Sequence, residues 1–274
     1  MLERQYAAWN HWLIGYDCWP YNEIKVNIVG FAVKEASLLD WTDDSLGTIT
    51  VGSLDSDGVP QCDQSCYRFY DNGPGSWSDT SSCKGEPFDI SLWPKQGLEG
   101  GFGYDWGQEV NLENMLSTID EDQLVIVAHE IGHGFGLPDF YETEDKPNDQ
   151  WPNCIMMAGS SMTEGSDATQ TSTNSTSTGD HATFGTVTSK SGECVIGNPN
   201  KYVSTADIDW IWKNRIGPDA PTREANWNVM DNKNWIMDHI VKNKGSLNYC
   251  VRWDSTEKLS KTVASKFKAM LERQ

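Results

Sequence analysis

The stretch His129-Glu130-Ile131-Gly132-His133-Gly134-Phe135-Gly136-Leu137-Pro138-Asp139 constrains this chain more than any other. Residues four apart on a helix project from one face, so a helix over residues 124–135 sets His129 and His133 side by side. Two imidazole nitrogens at that spacing reach one Zn²⁺ at about 2.0–2.1 Å, with Glu130 beside the ion but not ligating it. A zinc that does chemistry keeps three protein ligands and one open position for water. Asp139 is the candidate third ligand. It lies too far round a continuing helix to reach the ion, so the chain must leave the helix and turn back. Gly136 can take the positive φ such a reversal needs, and Pro138 prevents the helix from resuming. H-E-x-x-H alone arises by chance in helices; the glycine and aspartate in register set this one apart. Leu124, Val125, Ile126, Val127 and Ala128 are apolar all round, which predicts a buried helix. Asp120 reads as its N-cap, with Glu121 and Asp122 in the first turn.

With Gly136 and Asp139 at these offsets, the stretch resembles the metzincin zinc peptidases, in the variant whose third ligand is Asp, and points to a secreted member of fungal or microbial type. The resemblance implies an α+β fold: a metzincin-like catalytic domain with a twisted mixed sheet, a long helix, an active-site helix and a Met-turn. In that family a tight turn carries a methionine beneath the metal. Cys154-Ile155-Met156-Met157-Ala158 resembles it, with Met156 in the role and Met157 as second choice. The family also binds extended substrate along an edge strand above the cleft, and residues 100–107 lie near where that strand is expected. Residues 158–161, Ala-Gly-Ser-Ser, are read as a wall of the substrate pocket. The activity implied is hydrolysis of polypeptides, with Zn²⁺ as cofactor, His129, His133 and Asp139 as its ligands and Glu130 as general base. A zinc peptidase with a downstream glutamate ligand such as Glu164 is disfavoured by the Gly136 and Asp139 spacing.

Composition bounds the rest. A formal net charge of −19 offers nothing to neutralise a nucleic-acid backbone and disfavours anionic membrane surfaces. No apolar run approaches the roughly 20 residues that span a bilayer. Seven cysteines in a polar chain predict disulfides, an oxidising compartment and an extracellular protein. Cys62, Cys66 and Cys83 read as staples of a loop rich in Gly and Ser, with the connectivity open. Asn174-Ser175-Thr176 is a glycosylation acceptor, in keeping with export. Asp55-Ser56-Asp57-Gly58 lacks the later acidic ligand of a calcium loop and reads as a plain turn.

The pentapeptide Met1-Leu2-Glu3-Arg4-Gln5 recurs as Met270-Leu271-Glu272-Arg273-Gln274. The recurrence leads to the expectation of a permuted or joined chain order running from the second half into the first. Joined so, Leu259, Val263, Phe267 and Met270 continue into Tyr6, Trp9 and Leu13 as one helical stripe. A strand at residues 247–253 precedes this composite helix and another at 24–33 follows it, which is the metzincin opening. The chain then divides into residues 1–165, the main part of the catalytic domain; 166–191, a Ser/Thr-rich linker or joining seam; 192–245, a Trp-rich segment that is either an appended subdomain or packed before the first strand; and 246–274, the first strand and the first half of the long helix. Further strands are expected at 48–51 and 88–93, and a helical turn at 111–117. His11, His181 and His239 have no partner at ligand spacing and read as structural or exposed. A competing reading is an inactive zinc-containing extracellular module that accompanies polysaccharide, its 13 Trp and nine Tyr supplying stacking platforms. Burial of those rings in the core is the ordinary explanation.

Overall fold

The computed structural model describes residues 1–13, 19–151, 153–157, 204–217, 220 and 232–268. In chain order its elements are α1 (Leu2–Leu13), β1 (Lys25–Val33), β2 (Thr48–Val51), the ribbon β3 (Tyr70–Asp71) and β4 (Ser76–Trp77), β5 (Ile90–Lys95), β6 (Gly101–Gly103), β7 (Gly107–Asn111), α2 (Leu112–Ser117), α3 (Val125–Gly134), α4 (Thr205–Ile211), α5 (Ile236–Lys242), β8 (Ser246–Trp253) and α6 (Lys261–Lys266).

Six strands form one mixed sheet in the order β2-β1-β8-β5-β7-β6. All pairings are parallel except β6 with β7, which is antiparallel and leaves β6 at the edge. The architecture is thus mixed α and β around a mostly parallel sheet. A parallel strand flanked on both sides must bury both of its faces, and β8 does so. Leu247, Tyr249, Val251 and Trp253 are buried in the main core, while Cys250 belongs to a second cluster with Ala32, Cys62, Cys66 and Phe88. The Tyr249 hydroxyl meets that of Tyr6 at 2.5 Å and donates to Gln108 Oε1 at 2.9 Å, which pins α1 to the sheet.

The second cluster lies under the cysteine-rich insertion, which is stapled as the composition predicts. Cys62 bonds to Cys250 and Cys66 to Cys83; Cys154 is a thiol. Arg252 reinforces the attachment by donating to Pro60 O at 2.7 Å. In the Asp55–Gly58 turn, Asp55 Oδ1 accepts from the amides of Asp57 and Val59, Gly58 has a φ of 76°, and Asp55 Oδ2 pairs with Arg252, so the segment is a turn tied to β8.

Helical hydrogen bonding passes from α6 to α1. The Met1 nitrogen donates to Lys266 O at 2.8 Å and Leu2 N to Phe267 O at 2.9 Å. Leu259, Phe267 and Tyr6 are buried in one core, with Val263, Trp9 and Leu13 packed against it, while Met270 lies outside the described residues. Ile236 and Ile240 of α5 enter the main core, and Trp235 is buried beside them. His239 is buried too, 3.4 Å from Asp89, which Arg68 also pairs at 2.6 Å. Among the described residues no helix is long and apolar enough to cross a membrane.

Asp120 does not cap α3. The helix begins at Val125, and its N-cap, Leu124, makes no side-chain cap bond. Val125 is exposed rather than buried, but the Leu124 amide before it is buried and its acceptor comes from another element: Gln5 Oε1 of α1 takes it at 3.1 Å. Asp120 pairs instead with Lys266 of α6.

Candidate metal centre

The helix that carries the motif is buried from Val127 to Gly134. Its C-terminus closes in a Schellman arrangement. Gly136 N donates to His133 O at 2.8 Å and Leu137 N to Gly132 O at 3.2 Å, with Gly136 at φ 84°. A side chain at that φ is strained, and the glycine is what lets the chain reverse so tightly. The reversal brings Asp139 Oδ1 to 3.0 Å from His129 Nε2 and 3.4 Å from His133 Nε2.

Both imidazoles are oriented by their other nitrogen. His129 Nδ1 donates to Ile155 O at 2.7 Å, and His133 Nδ1 to Leu137 O at 2.8 Å. A ring whose proton is engaged at Nδ1 presents a lone pair at Nε2. Two nitrogen lone pairs and a carboxylate oxygen therefore converge, and Asp139 Oδ1 is buried with no hydrogen-bond partner. Attraction from the His129 and His133 rings beside it outweighs burial and holds the Asp139 carboxyl well below the usual range. The same pairing raises His129 in spite of its burial. One added proton satisfies one ring; a cation satisfies all three donors at once. Ligands of a tetrahedral zinc at about 2.0–2.1 Å stand roughly 3.3 Å apart, which the 3.0 and 3.4 Å separations match.

Glu130 also faces this point. With His129 and His133 it forms a group whose donor atoms lie within 4.8 Å of one another. Its nearest ion-pair approach, 3.8 Å from Oε2 to His133 Nε2, is longer than either Asp139 distance, so Asp139 stands closer to the rings than Glu130 does. Glu130 Oε2 is buried without a hydrogen bond, and burial pushes this carboxyl up to about 7 against the pull of both imidazoles.

The turn beneath the site joins Met157 N to Cys154 O at 2.9 Å and supplies the Ile155 carbonyl that orients His129. Met156 is buried directly under α3: a Cβ built on Gly132 falls 2.2 Å from its Sδ. Met157 is only partly buried against the same cluster, so the contact under the helix belongs to Met156. Above the site, β6 passes so near α3 that a Cβ on Gly101 meets Glu130 Oε1 at 2.6 Å and one on Gly103 meets Glu130 O at 2.3 Å. Phe102 between them is 51% exposed.

The structure thus brings His129, Glu130, His133, Gly136, Asp139 and Met156 together. Residues 158–161 and Glu164 lie outside the described residues, as do the linker at 166–191 and the acceptor at Asn174. Sequence reasoning missed Tyr141, whose hydroxyl stands 3.0 Å from His129 Nε2 with its ring stacked on the imidazole at 5.9 Å. Its place two residues after Asp139 was the available signal. Trp9, expected on the apolar stripe of the long helix, also donates to Ala128 O at 2.9 Å and braces α3 from α1. Comparisons of the chain with protein-family profiles, curated proteins and solved structures returned no match.

Proposed function

We propose that this chain is a secreted zinc-dependent endopeptidase of metzincin-like design. One observation carries the reading: three metal-ready lone pairs, two from rings whose protons are engaged elsewhere, meet beside a buried carboxylate oxygen, Glu130 Oε2, that makes no hydrogen bond. His129, His133 and Asp139 would hold the ion. Bound zinc supplies a water of lowered pKa and a Lewis acid for the substrate carbonyl.

The chain's own groups do the rest. Glu130, raised toward neutrality by burial, takes a proton from the attacking water and passes it to the leaving amine. Tyr141, 45% exposed at the rim, aims its hydroxyl at the same point and donates to the oxygen on which charge develops. The open edge of β6, two glycines wide over Glu130, takes an extended polypeptide by strand addition. Disulfides and strong negative charge support an extracellular setting. Of the tryptophans with described side chains only Trp212 is exposed, which weighs against the glycan-module reading.

The test is chelator-sensitive cleavage of casein or gelatin by the zinc-loaded protein, with anomalous scattering at the zinc edge to assign ligands. Glu130→Gln is expected to keep its zinc and lose about 10²–10⁴ in turnover. An ion bound away from His129, or unchanged turnover in that variant, overturns the proposal.

A further inference from the structure

We infer that Arg215 is a positioning residue for the third metal ligand, and that the helical segment 204–217 acts as a clamp on the loop carrying Asp139 and Tyr141. The inference rests on the metal-centre reading above. Arg215 sits in the wide turn Trp212–Ile216 that follows α4. Its guanidinium donates from one nitrogen to Asp139 O at 2.8 Å and from another to Asp145 O at 2.7 Å, and pairs with Asp145 Oδ1 at 2.9 Å. It also lies over the Phe140 ring, 5.5 Å from the centroid.

One side chain thereby ties together both ends of the loop from Asp139 to Asp145, and one of its bonds is to the backbone of the ligand residue itself. Its side chain is only 12% exposed, so these bonds are shielded from water. A planar fork is needed, because a lysine ammonium cannot span carbonyls at the two ends of the loop while stacking on an aromatic ring. The rest of the segment docks beside it. Asn148 donates to Asp207 at 2.6 Å, and Ile211 packs on the cluster of Ala128, Phe140, Ile155 and Met156 that underlies the metal helix. A carboxylate ligand on a loop is as rigid as the groups that hold its backbone, and such outer contacts set metal affinity as well as ligand orientation. Arg215 is the charged group that meets the Asp139 peptide from outside its own loop.

The experiment uses the full chain and three variants, Arg215→Ala, Arg215→Lys and Ser260→Ala. The readouts are zinc affinity by competition with a chromophoric chelator, the visible absorption of the Co²⁺-substituted protein, and the thermal midpoint of the chelated protein. Arg215→Ala is expected to bind zinc about 10–100-fold more weakly and to show an altered Co²⁺ spectrum. Arg215→Lys recovers part of the affinity and serves in its place if the alanine variant does not fold. Ser260→Ala, which removes the side chain that caps α6 by accepting from the Val263 amide and touches neither the clamp nor the metal loop, is expected to lower the midpoint while zinc affinity stays within about threefold of wild type. A wild-type protein that binds zinc beside Arg215 variants whose affinity and Co²⁺ spectrum are unchanged overturns this inference alone. A wild-type protein that binds neither metal at His129 overturns it together with the metal-centre reading.

Discussion

Gly101→Ala tests how tightly the edge strand and the metal helix are fitted to each other. The added Cβ sits 2.6 Å from Glu130 Oε1, 2.8 Å from Cγ and 2.9 Å from Cδ. Carbon atoms rest at 3.5–4.0 Å, so the contact is short by about 1 Å. Glu130 is buried, which closes the simple escape of swinging its carboxylate into water. Either the side chain or β6 moves by roughly that distance. Overpacking of this kind costs about 1–3 kcal/mol of stability, and a displacement of about 1 Å at a reacting group costs about 10²-fold in rate, or roughly 2.7 kcal/mol of barrier. Zinc should remain, since a Cβ at Gly101 meets neither imidazole nor Asp139 among its nearest atoms. The assay is kcat/KM on a peptide substrate alongside zinc stoichiometry and the thermal midpoint. Gly103→Ala is the contrast: its Cβ meets the Glu130 carbonyl at 2.3 Å and His133 Cβ at 2.6 Å, so helix and strand must part and the main loss is stability. Wild-type kcat/KM in Gly101→Ala, or loss of zinc in step with activity, refutes the reasoning.

Removing the metal exposes a pH signature of Glu130. Between the ordinary glutamate value of about 4.3 and about 7, the folded chain keeps a proton that the unfolded chain has released, so stability falls as pH rises across that window, at most about 1.4 kcal/mol per unit. Chelated wild type should lose stability from pH 5 to 8 relative to Glu130→Gln in denaturant titrations; parallel pH profiles count against the buried carboxyl. Tyr141→Phe removes a hydroxyl 3.0 Å from His129 Nε2 and is expected to lower kcat about 10²-fold with zinc content unchanged, and undiminished kcat removes Tyr141 from the reaction. Cys62→Ser opens the bond that ties the insertion to β8 across 188 residues and should cost about 2–5 kcal/mol of unfolding free energy, read from the denaturant midpoint.

What the sequence determined by itself was what depends on neighbours along the chain. The four-residue step from His129 to His133, the positive φ of Gly136 and the stop at Pro138 are local, so the reversal that returns Asp139 to the rings was legible before any coordinates. The same holds for β2, found at Thr48–Val51 as expected, and for α2, capped by Asn111. The stripe shared by α6 and α1 was visible only once the two ends were read together. Tertiary structure alone decided which distant group satisfies each buried atom. Gln5 rather than Asp120 takes the Leu124 amide, and Arg215 reaches back to the Asp139 carbonyl. Only the fold shows that α5 belongs to the main core. Such pairings leave no periodic trace, because a hydrogen bond is chosen by geometry within about 3 Å and places no demand on the residues between its partners.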